Sequence, residues 1–174
     1  NSLGVMKLVE QGKLDPLEDI NTYLKGWQFP YDSLSNNKKI NTYQLLSHSA
    51  GLGIHGFPGY KRSDQLPSEY QVLDGVSPAN TKAVRSIFEP GKKFEYSGGG
   101  TTITQLLVTS ITGRVYAEYI QSEVLDRLGM SNSTYRIPTT DTANLASGYY
   151  SDGSRVEGKF LLMKDTLSVV HCGG

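Results

Sequence analysis

The sequence predicts an α+β fold that is mainly helical, and three observations support this prediction. Apolar residues recur at helical spacing in several segments before residue 130. A glycine-rich stretch, residues 89–100, leads into the clearest of these segments. From residue 147 the spacing changes, and Asp152-Gly153 separates two short runs as the turn of a β-hairpin does. The 174 residues suffice for one core, or for one domain with part of another.

The composition excludes several function classes. The chain carries 17 basic and 17 acidic residues, so no excess charge steers it toward nucleic acid or anionic lipid. No apolar run approaches the roughly 20 residues that a membrane-spanning helix needs. The single cysteine, Cys172, excludes an internal disulfide, and the three histidines lack partners at metal-ligand spacing. We therefore predict no nucleic-acid partner, no membrane-spanning segment, no metal and no cofactor.

Two helical segments are predicted near the beginning of the chain. The first ends at Gly12, and only Asn1 and Ser2 precede its apolar pattern, which predicts the second half of a longer helix. Asp15-Pro16 opens the second segment. The apolar positions that define the two patterns are Leu3, Met6, Leu8 and Val9, then Leu17, Ile20 and Leu24.

The middle of the chain is predicted to hold a helix, a long loop and another helix. Asn41 and Gln44 form a capping-box pattern at the first helix start. Residues 51–77 are rich in Gly, Pro, Ser and Asp and are predicted to form a loop, which at this length indicates function or poor order. Ser77-Pro78 has the order of a cap followed by proline at the first helical position, which predicts a helix over residues 78–88.

The strongest helical pattern follows the glycine-rich stretch and ends at Gly113. A second helix is predicted from Tyr116 to Gly129, and a hairpin over residues 149–157. The inward positions of the two helices are predicted to be Ile103, Leu106, Leu107 and Ile111, then Tyr116, Tyr119, Ile120, Val124 and Leu128.

The glycine-rich stretch places Tyr96 at a predicted helix start, where backbone amides favour negative charge. A tyrosine there suits a general base or an oxyanion stabiliser. A free tyrosine has a pKa of about 10 and becomes a useful base when a neighbouring cation lowers it, and Lys92 and Lys93 are close in sequence. Taken alone, a tyrosine in such a position is more often a half-buried packing residue.

Three segments, in order, resemble one family. Residues 9–15, Val-Glu-Gln-Gly-Lys-Leu-Asp, resemble the end of its nucleophile helix. Residues 45–52, Leu-Leu-Ser-His-Ser-Ala-Gly-Leu, resemble its Leu-Leu-x-His-x-x-Gly-Leu segment. Residues 90–130, from Pro-Gly through Tyr-Ser-Gly to Leu-Gly-Met, resemble its tyrosine region. The chain is therefore similar to the serine β-lactamase and penicillin-binding-protein family, nearest to class C β-lactamases, DD-peptidases and related esterases.

The resemblance implies the helical region of the β-lactamase/transpeptidase-like fold with only part of its α/β domain. Residues 1–14 correspond to the end of the nucleophile helix, residues 15–146 to a mainly helical region that carries the tyrosine motif, and residues 147–174 to a β-hairpin and a truncated C-terminal end. The remainder of the α/β domain is then an implied partner, beside a small-molecule or peptide substrate. The resemblance also implies a periplasmic or extracellular location.

In that family the serine of a Ser-x-x-Lys motif forms an acyl-enzyme, while the lysine and the tyrosine of a Tyr-x-Asn motif share the proton transfers. The resemblance implies Tyr96 as the catalytic tyrosine, and Ser97 and Gly98 as substrate-binding positions. Gly98 stands where asparagine is commoner, which removes a side-chain amide and favours an esterase-like or divergent member. His171 formally matches a His-x-Gly element that binds substrate, although this segment lies much earlier than that element and fits a small-residue turn better.

The sequence shows no credible nucleophile. The family's spacing places Ser-x-x-Lys before Asn1, and Ser35-Asn36-Asn37-Lys38 lies in a polar, turn-like segment, so we interpret that match as coincidence. His48 is interpreted as a structural histidine and His55 as part of a flexible loop. We predict a serine hydrolase acting on β-lactam, D-Ala peptide or ester substrates as the intact protein, with no acyl transfer by this chain alone. The alternative is a non-catalytic ligand-binding or interaction module of the same fold.

Overall fold

The computed structural model describes residues 1–60, 64–135 and 149–155. These residues form five α-helices: α1 (Ser2–Glu10), α2 (Thr42–Leu46), α3 (Glu69–Asp74), α4 (Gly98–Thr112) and α5 (Tyr116–Ile120). Short 3-10 turns occur at Ile20–Thr22 and Ser33–Ser35, and a π-turn at Gln121–Leu125. Within the described ranges, β pairing is limited to three isolated antiparallel bridges, Asp19–Asn41, Leu52–Ser86 and Tyr149–Arg155. The predicted helical character is thus confirmed, whereas the described ranges contain no β-sheet.

Helix α4 contacts four other helices, α1, α2, α3 and α5. The Ser97 hydroxyl accepts a hydrogen bond from the Gly100 amide at its start, and Gly113 ends it in the left-handed conformation. Eleven of its fifteen residues are buried, so it is covered on nearly all sides rather than along one apolar face. Ile103 and Leu107 pack in one core cluster and Val108 in another. The segment that carries Tyr96, which we call the tyrosine turn (residues 94–97), therefore leads directly into this buried helix.

The segment predicted as a long loop, residues 51–77, contains helix α3. The Ser68 hydroxyl accepts from the Gln71 amide, and the Gln71 side-chain carbonyl accepts from the Ser68 amide. This reciprocal capping box satisfies two amides at the helix start, and the helix buries Val72 and Leu73. The Ser-x-x-Gln pattern was present in the sequence, so a search for a second capping box locates this helix.

The predicted helix over residues 78–88 is wrong. The backbone there bonds to neighbouring segments: the Val84 amide donates to the Leu73 carbonyl at 2.9 Å, and the Ile87 amide donates to the Gly51 carbonyl at 2.8 Å. These amides would have to give up those partners to form a helix, and Val84 would leave the core. Tertiary pairing has overridden the local cap-and-proline signal.

Only part of the predicted apolar pattern of helix α1 faces the core. Gly4, Val5 and Leu8 are buried, whereas Leu3 and Met6 are exposed. Gly4 allows a close approach to α5, because a Cβ placed there would lie 2.3 Å from the Ile120 Cδ1 atom. Gly4 thus decides which face of α1 packs on α5. The predicted apolar pattern did not include this glycine.

Two other apolar residues of the predicted helical patterns are exposed: Leu17, and Leu128, which was predicted to face inward. The Leu17 amide donates to the Asp15 carboxylate, so the chain turns there instead of continuing as a helix. Before Leu128, the Asp126 amide donates to the Gln121 carbonyl, five residues back. That π-turn inserts one residue into the helical repeat, and Leu125 becomes buried instead.

The described part of the predicted hairpin, residues 149–155, contains the expected turn. Tyr149 and Arg155 form an antiparallel bridge, and the Tyr150 amide donates to the Ser154 carbonyl at 2.8 Å. Gly153 has a φ of +81°, which suits glycine at this turn position. The remainder of the hairpin and of residues 147–174 lies outside the described residues.

Candidate active site

Tyr96 lies on the extended segment that enters helix α4, and its side chain is flanked by two imidazoles. Its ring centroid is 4.4 Å from that of His48 and 4.7 Å from that of His55. The residue is 45% exposed. Across residues 1–60, 64–135 and 149–155, no hydrogen bond to its hydroxyl is formed. The phenol is therefore held by ring contacts, with its polar end available to a bound molecule.

A cleft of about 270 Å³ opens beside Tyr96. Residues from the beginning of α1, from α2, from α4 and from the segment after α5 contribute to its wall. They are Asn1, Ser2, Leu45, Leu46, His48, Tyr96, Thr101, Thr104 and Tyr135. The tyrosine and the amino-terminal end of α1 thus share one cleft, although they lie far apart in sequence.

The beginning of α1 is fixed by hydrogen bonds from α5. The Tyr116 hydroxyl donates to the Asn1 side-chain carbonyl at 2.8 Å, and the Tyr119 hydroxyl donates to the Gly4 backbone carbonyl at 2.9 Å. Both tyrosines are buried, and the bond from Tyr119 to Gly4 is shielded from water. The distance between the start of α1 and Tyr96 is therefore set by packed helices rather than by a loop.

His48 supports the tyrosine turn, as its structural interpretation predicts. Its Nδ1 atom accepts a hydrogen bond from the Ser97 amide at 3.3 Å, and its carbonyl accepts from the Glu95 amide at 2.7 Å. Burial holds the pKa of His48 below its ordinary value, so the neutral imidazole that can accept this bond is favoured at neutral pH. His48 thus binds the backbone on both sides of Tyr96.

Ser97 is buried, and its hydroxyl is already engaged. It accepts from the Gly100 amide at 2.9 Å and donates to the Gly53 carbonyl at 2.7 Å. These bonds cap α4 and attach it to a neighbouring segment, which we call the strap, residues 53–57. The hydroxyl of Ser97 has a positioning role in this structure, and its predicted contact with substrate stays a prediction.

The first amides of α4 are occupied by the protein itself. The Gly98 amide donates to the His55 carbonyl and the Gly99 amide to the Ile54 carbonyl, both at 3.1 Å. The Gly100 amide bonds the Ser97 hydroxyl. These amide groups are therefore not available to a bound anion. The His55 loop, expected to be flexible, is docked on the helix by these bonds.

The two lysines near Tyr96 in sequence are directed elsewhere. The Lys93 ammonium lies 4.7 Å from the centre of the Phe88 ring and 3.6 Å from a Glu95 carboxylate oxygen. Hydrogen bonds from Lys38 and Asn36 hold the pKa of the Glu89 carboxyl below its ordinary value, and the charge of nearby Lys92 lowers it further. Although both lysines are near Tyr96 in sequence, their contacts are with these other groups and not with the Tyr96 hydroxyl.

Gly98 has no room for a side chain. A Cβ atom at this position would lie 2.9 Å from the His55 carbonyl oxygen and 3.4 Å from the Phe57 ring. The strap occupies the space into which an asparagine would project. Glycine at the third position of the Tyr-Ser-Gly motif is therefore a packing requirement of this chain.

Gly98→Ala is expected to destabilise the protein by about 1–3 kcal/mol, because the new methyl group meets a backbone carbonyl that is fixed by its own hydrogen bond. Gly100→Ala is the matched control in the same helical turn, since its Cβ would make ordinary contacts at 3.5 Å and beyond. We expect Gly100→Ala to be neutral or stabilising by up to about 1 kcal/mol. Thermal unfolding of the two variants checks this, and equal melting temperatures would contradict the packing account.

The Ser35-x-x-Lys38 match does not form a reactive pair. Ser35 is fully buried, and its hydroxyl donates to the Asp32 carbonyl at 2.7 Å. Asn36 and Asn37 both have positive φ, so the four residues do not continue as a helix. Lys38 forms an ion pair with Glu89 instead. These observations agree with the interpretation of this string as coincidence.

Some residues singled out in the sequence lie outside the described ranges. His171 and Cys172 are not among the described residues. The residues that are described contain no group of three or more His, Cys, Asp or Glu side chains able to hold a metal ion. In the same residues, no helix is long and apolar enough to cross a bilayer.

The chain matches a known protein family over most of its length. The family model described as Beta-lactamase matches residues 1–165. Protein flp of Staphylococcus aureus is 24% identical over 161 residues, which are 87% of this chain and 29% of that protein. The chain thus spans under a third of this curated relative.

Solved structures share the fold. A penicillin-binding protein from Bacillus halodurans superimposes with a TM-score of 0.61 at 25% identity, over 88% of this chain and 45% of that one. EstCE1, a hydrolase with promiscuous acyltransferase activity, superimposes with a TM-score of 0.63 at 23% identity, over 88% of this chain and 41% of that one. In both structures the matched region is less than half of the whole.

Proposed function

Because the chain belongs to the beta-lactamase family, we propose that it forms one wall of the active site of a serine hydrolase that works through an acyl-enzyme. The observation that carries the proposal is the shared cleft of Tyr96 and the amino-terminal end of α1. In the proposal, α1 continues toward a Ser-x-x-Lys motif that precedes Asn1, and its serine is the nucleophile. Residues 1–135 then supply the tyrosine and the scaffold that positions it.

The proposed role of Tyr96 is proton transfer. The serine oxygen forms a bond to the acyl carbon, and the bond to the leaving group breaks. The proton of the serine hydroxyl passes through the Tyr96 hydroxyl to the leaving group. The Tyr96 hydroxyl is the group that this chain presents, and His48 holds the backbone beside it. Water then releases the acyl group by the same route in reverse.

The structure of the Gly98 position bears on the proposed substrate class. The strap fills the space beside Gly98, so no side-chain amide reaches a substrate from there. This supports esters over β-lactams or D-Ala peptides as substrates. A substrate contact from His171 remains part of the proposal, whereas the backbone amides of Ser97 and Gly98 are engaged by His48 and His55. The remainder of the α/β domain is the proposed partner of the exposed side of α1, where Leu3 and Met6 lie.

Turnover and covalent labelling test the proposed function. The protein is expressed from the gene together with the coding sequence on both sides of these residues. It is then incubated with a p-nitrophenyl ester and, separately, with a fluorescent penicillin. We expect ester hydrolysis, with unchanged turnover in a Ser35→Ala variant because that buried hydroxyl is not the nucleophile. Absence of both hydrolysis and labelling would contradict the proposal and favour a non-catalytic ligand-binding module of the same fold.

A further inference from the structure

We propose that His55 is a positioning residue for Tyr96, acting through ring stacking rather than through contact with substrate. The proposal rests on the proposed function for its catalytic consequence, but its structural part stands on the geometry of this chain. The His55 ring lies 4.7 Å from the Tyr96 ring at an interplanar angle of 46°. His55 is not among the residues that line the cleft. It therefore contacts the Tyr96 ring without forming part of the cleft wall.

The strap that carries His55 is held rigidly against helix α4. Three consecutive carbonyls, those of Gly53, Ile54 and His55, accept hydrogen bonds from the Ser97 hydroxyl and from the Gly98 and Gly99 amides. The backbone at Ile54 has a φ of +61°, a conformation that β-branched residues rarely adopt. Strained backbone of this kind persists where surrounding contacts impose it, often beside a functional group. Here it turns the next residue, His55, toward Tyr96.

The exposure of Tyr96 explains why a positioning residue matters. Nearly half of the side chain is accessible, and within the described ranges its hydroxyl has no protein partner to fix the ring. Among the described residues, the aromatic rings that contact it are those of His48, which lines the cleft, and of His55, on the strap. His48 is itself fixed by the Ser97 amide. Loss of His55 therefore removes one of the two aromatic contacts to the phenol.

Proton transfer is sensitive to such a loss. A displacement of about 1 Å in a reacting group can cost roughly a hundredfold in rate. Loss of one ring contact allows a smaller average displacement, so we expect His55→Ala to lower kcat about tenfold, with KM changed less than about twofold. His55→Phe keeps an aromatic ring and lacks the imidazole nitrogens, so it should restore most of kcat.

A spectroscopic measurement tests the positioning directly and needs no catalysis. Tyrosine ring resonances are recorded by NMR in the full protein, with Tyr96→Phe used to assign those of Tyr96. A ring proton over a neighbouring aromatic face is shifted upfield by that ring. We expect His55→Ala to move the Tyr96 ring protons downfield and His55→Phe to return them toward the native positions. Gly56→Ala is the control in the strap, because a Cβ there meets nothing within 4 Å and should leave them unchanged.

Two results would overturn the proposal: Tyr96 resonances that stay at their native positions in His55→Ala, or a His55→Phe variant as displaced as His55→Ala. The His55 side chain is exposed, so both variants are expected to fold, and a thermal melt confirms that they do. If the protein hydrolyses no ester, that result contradicts the proposed function but not the positioning role of His55. The resonances would still decide whether His55 positions Tyr96.

Discussion

Tyr96→Phe is expected to lower kcat of the proposed hydrolase by about 10²–10⁴-fold, the usual contribution of a positioned general acid–base. The substitution removes one oxygen atom and keeps the ring that packs between His48 and His55. The fold and the shape of the cleft should therefore persist, and KM should change little. A loss in kcat at constant KM identifies a group that acts in the transition state rather than in substrate binding.

Tyr43→Phe is a closely matched control for that experiment. Tyr43 is 46% exposed against 45% for Tyr96, and it lies on α2 without lining the cleft. We expect native kcat from Tyr43→Phe. Steady-state kinetics with a p-nitrophenyl ester make the comparison, and a Tyr96→Phe variant with native kcat would remove the tyrosine from the mechanism.

Gly51→Ala is expected to lower the free energy of unfolding by about 2–5 kcal/mol. Two costs combine at this position. Its φ of +68° is unfavourable for any residue with a side chain, and its Cβ would lie 2.3 Å from the Phe88 carbonyl oxygen. That oxygen belongs to the backbone, so it cannot rotate away as the end of a side chain can. The turn between His48 and the strap must shift to admit the methyl group.

Gly12→Ala separates the two costs. Gly12 has nearly the same φ, +66°, but a Cβ there meets nothing within 4 Å. It should show only the conformational cost, about 1–2 kcal/mol. Thermal unfolding of both variants measures the difference. If Gly51→Ala and Gly12→Ala lower the melting temperature equally, the close approach to Phe88 has no energetic consequence and the account of this turn is wrong.

Local signals in the sequence predicted the elements whose ends are set by their own side chains. Asn41 and Gln44 form the predicted capping box of α2, and α4 ends at Gly113 as predicted, with this glycine in the left-handed conformation. These interactions act within a few residues, so the pattern alone is sufficient. The helix over residues 78–88 failed for the complementary reason, because its amides have partners more than ten residues away.

In the candidate site, too, some features could be predicted from the sequence and others could not. Tyr96 could be singled out because a motif marks it and because two further segments resemble the same family. The docking of His55 on Tyr96 could not, since it depends on the backbone path of the strap and on the missing side chain at Gly98. The burial of Leu125 in place of Leu128 depends on a π-turn, for which the sequence carries no recognised signal. Long-range geometry, rather than residue type, decided these features.

Peptide mapping of the acyl-enzyme tests the central claim most directly. The gene product with its flanking coding sequence is trapped with an activated ester or a penicillin, digested and analysed by mass spectrometry. The account predicts one adduct, on the serine of a Ser-x-x-Lys motif that precedes Asn1, with residues 1–174 unmodified. An adduct on Ser35, or on any other residue of this chain, would contradict the claim that these residues supply the tyrosine wall of the site and not its nucleophile.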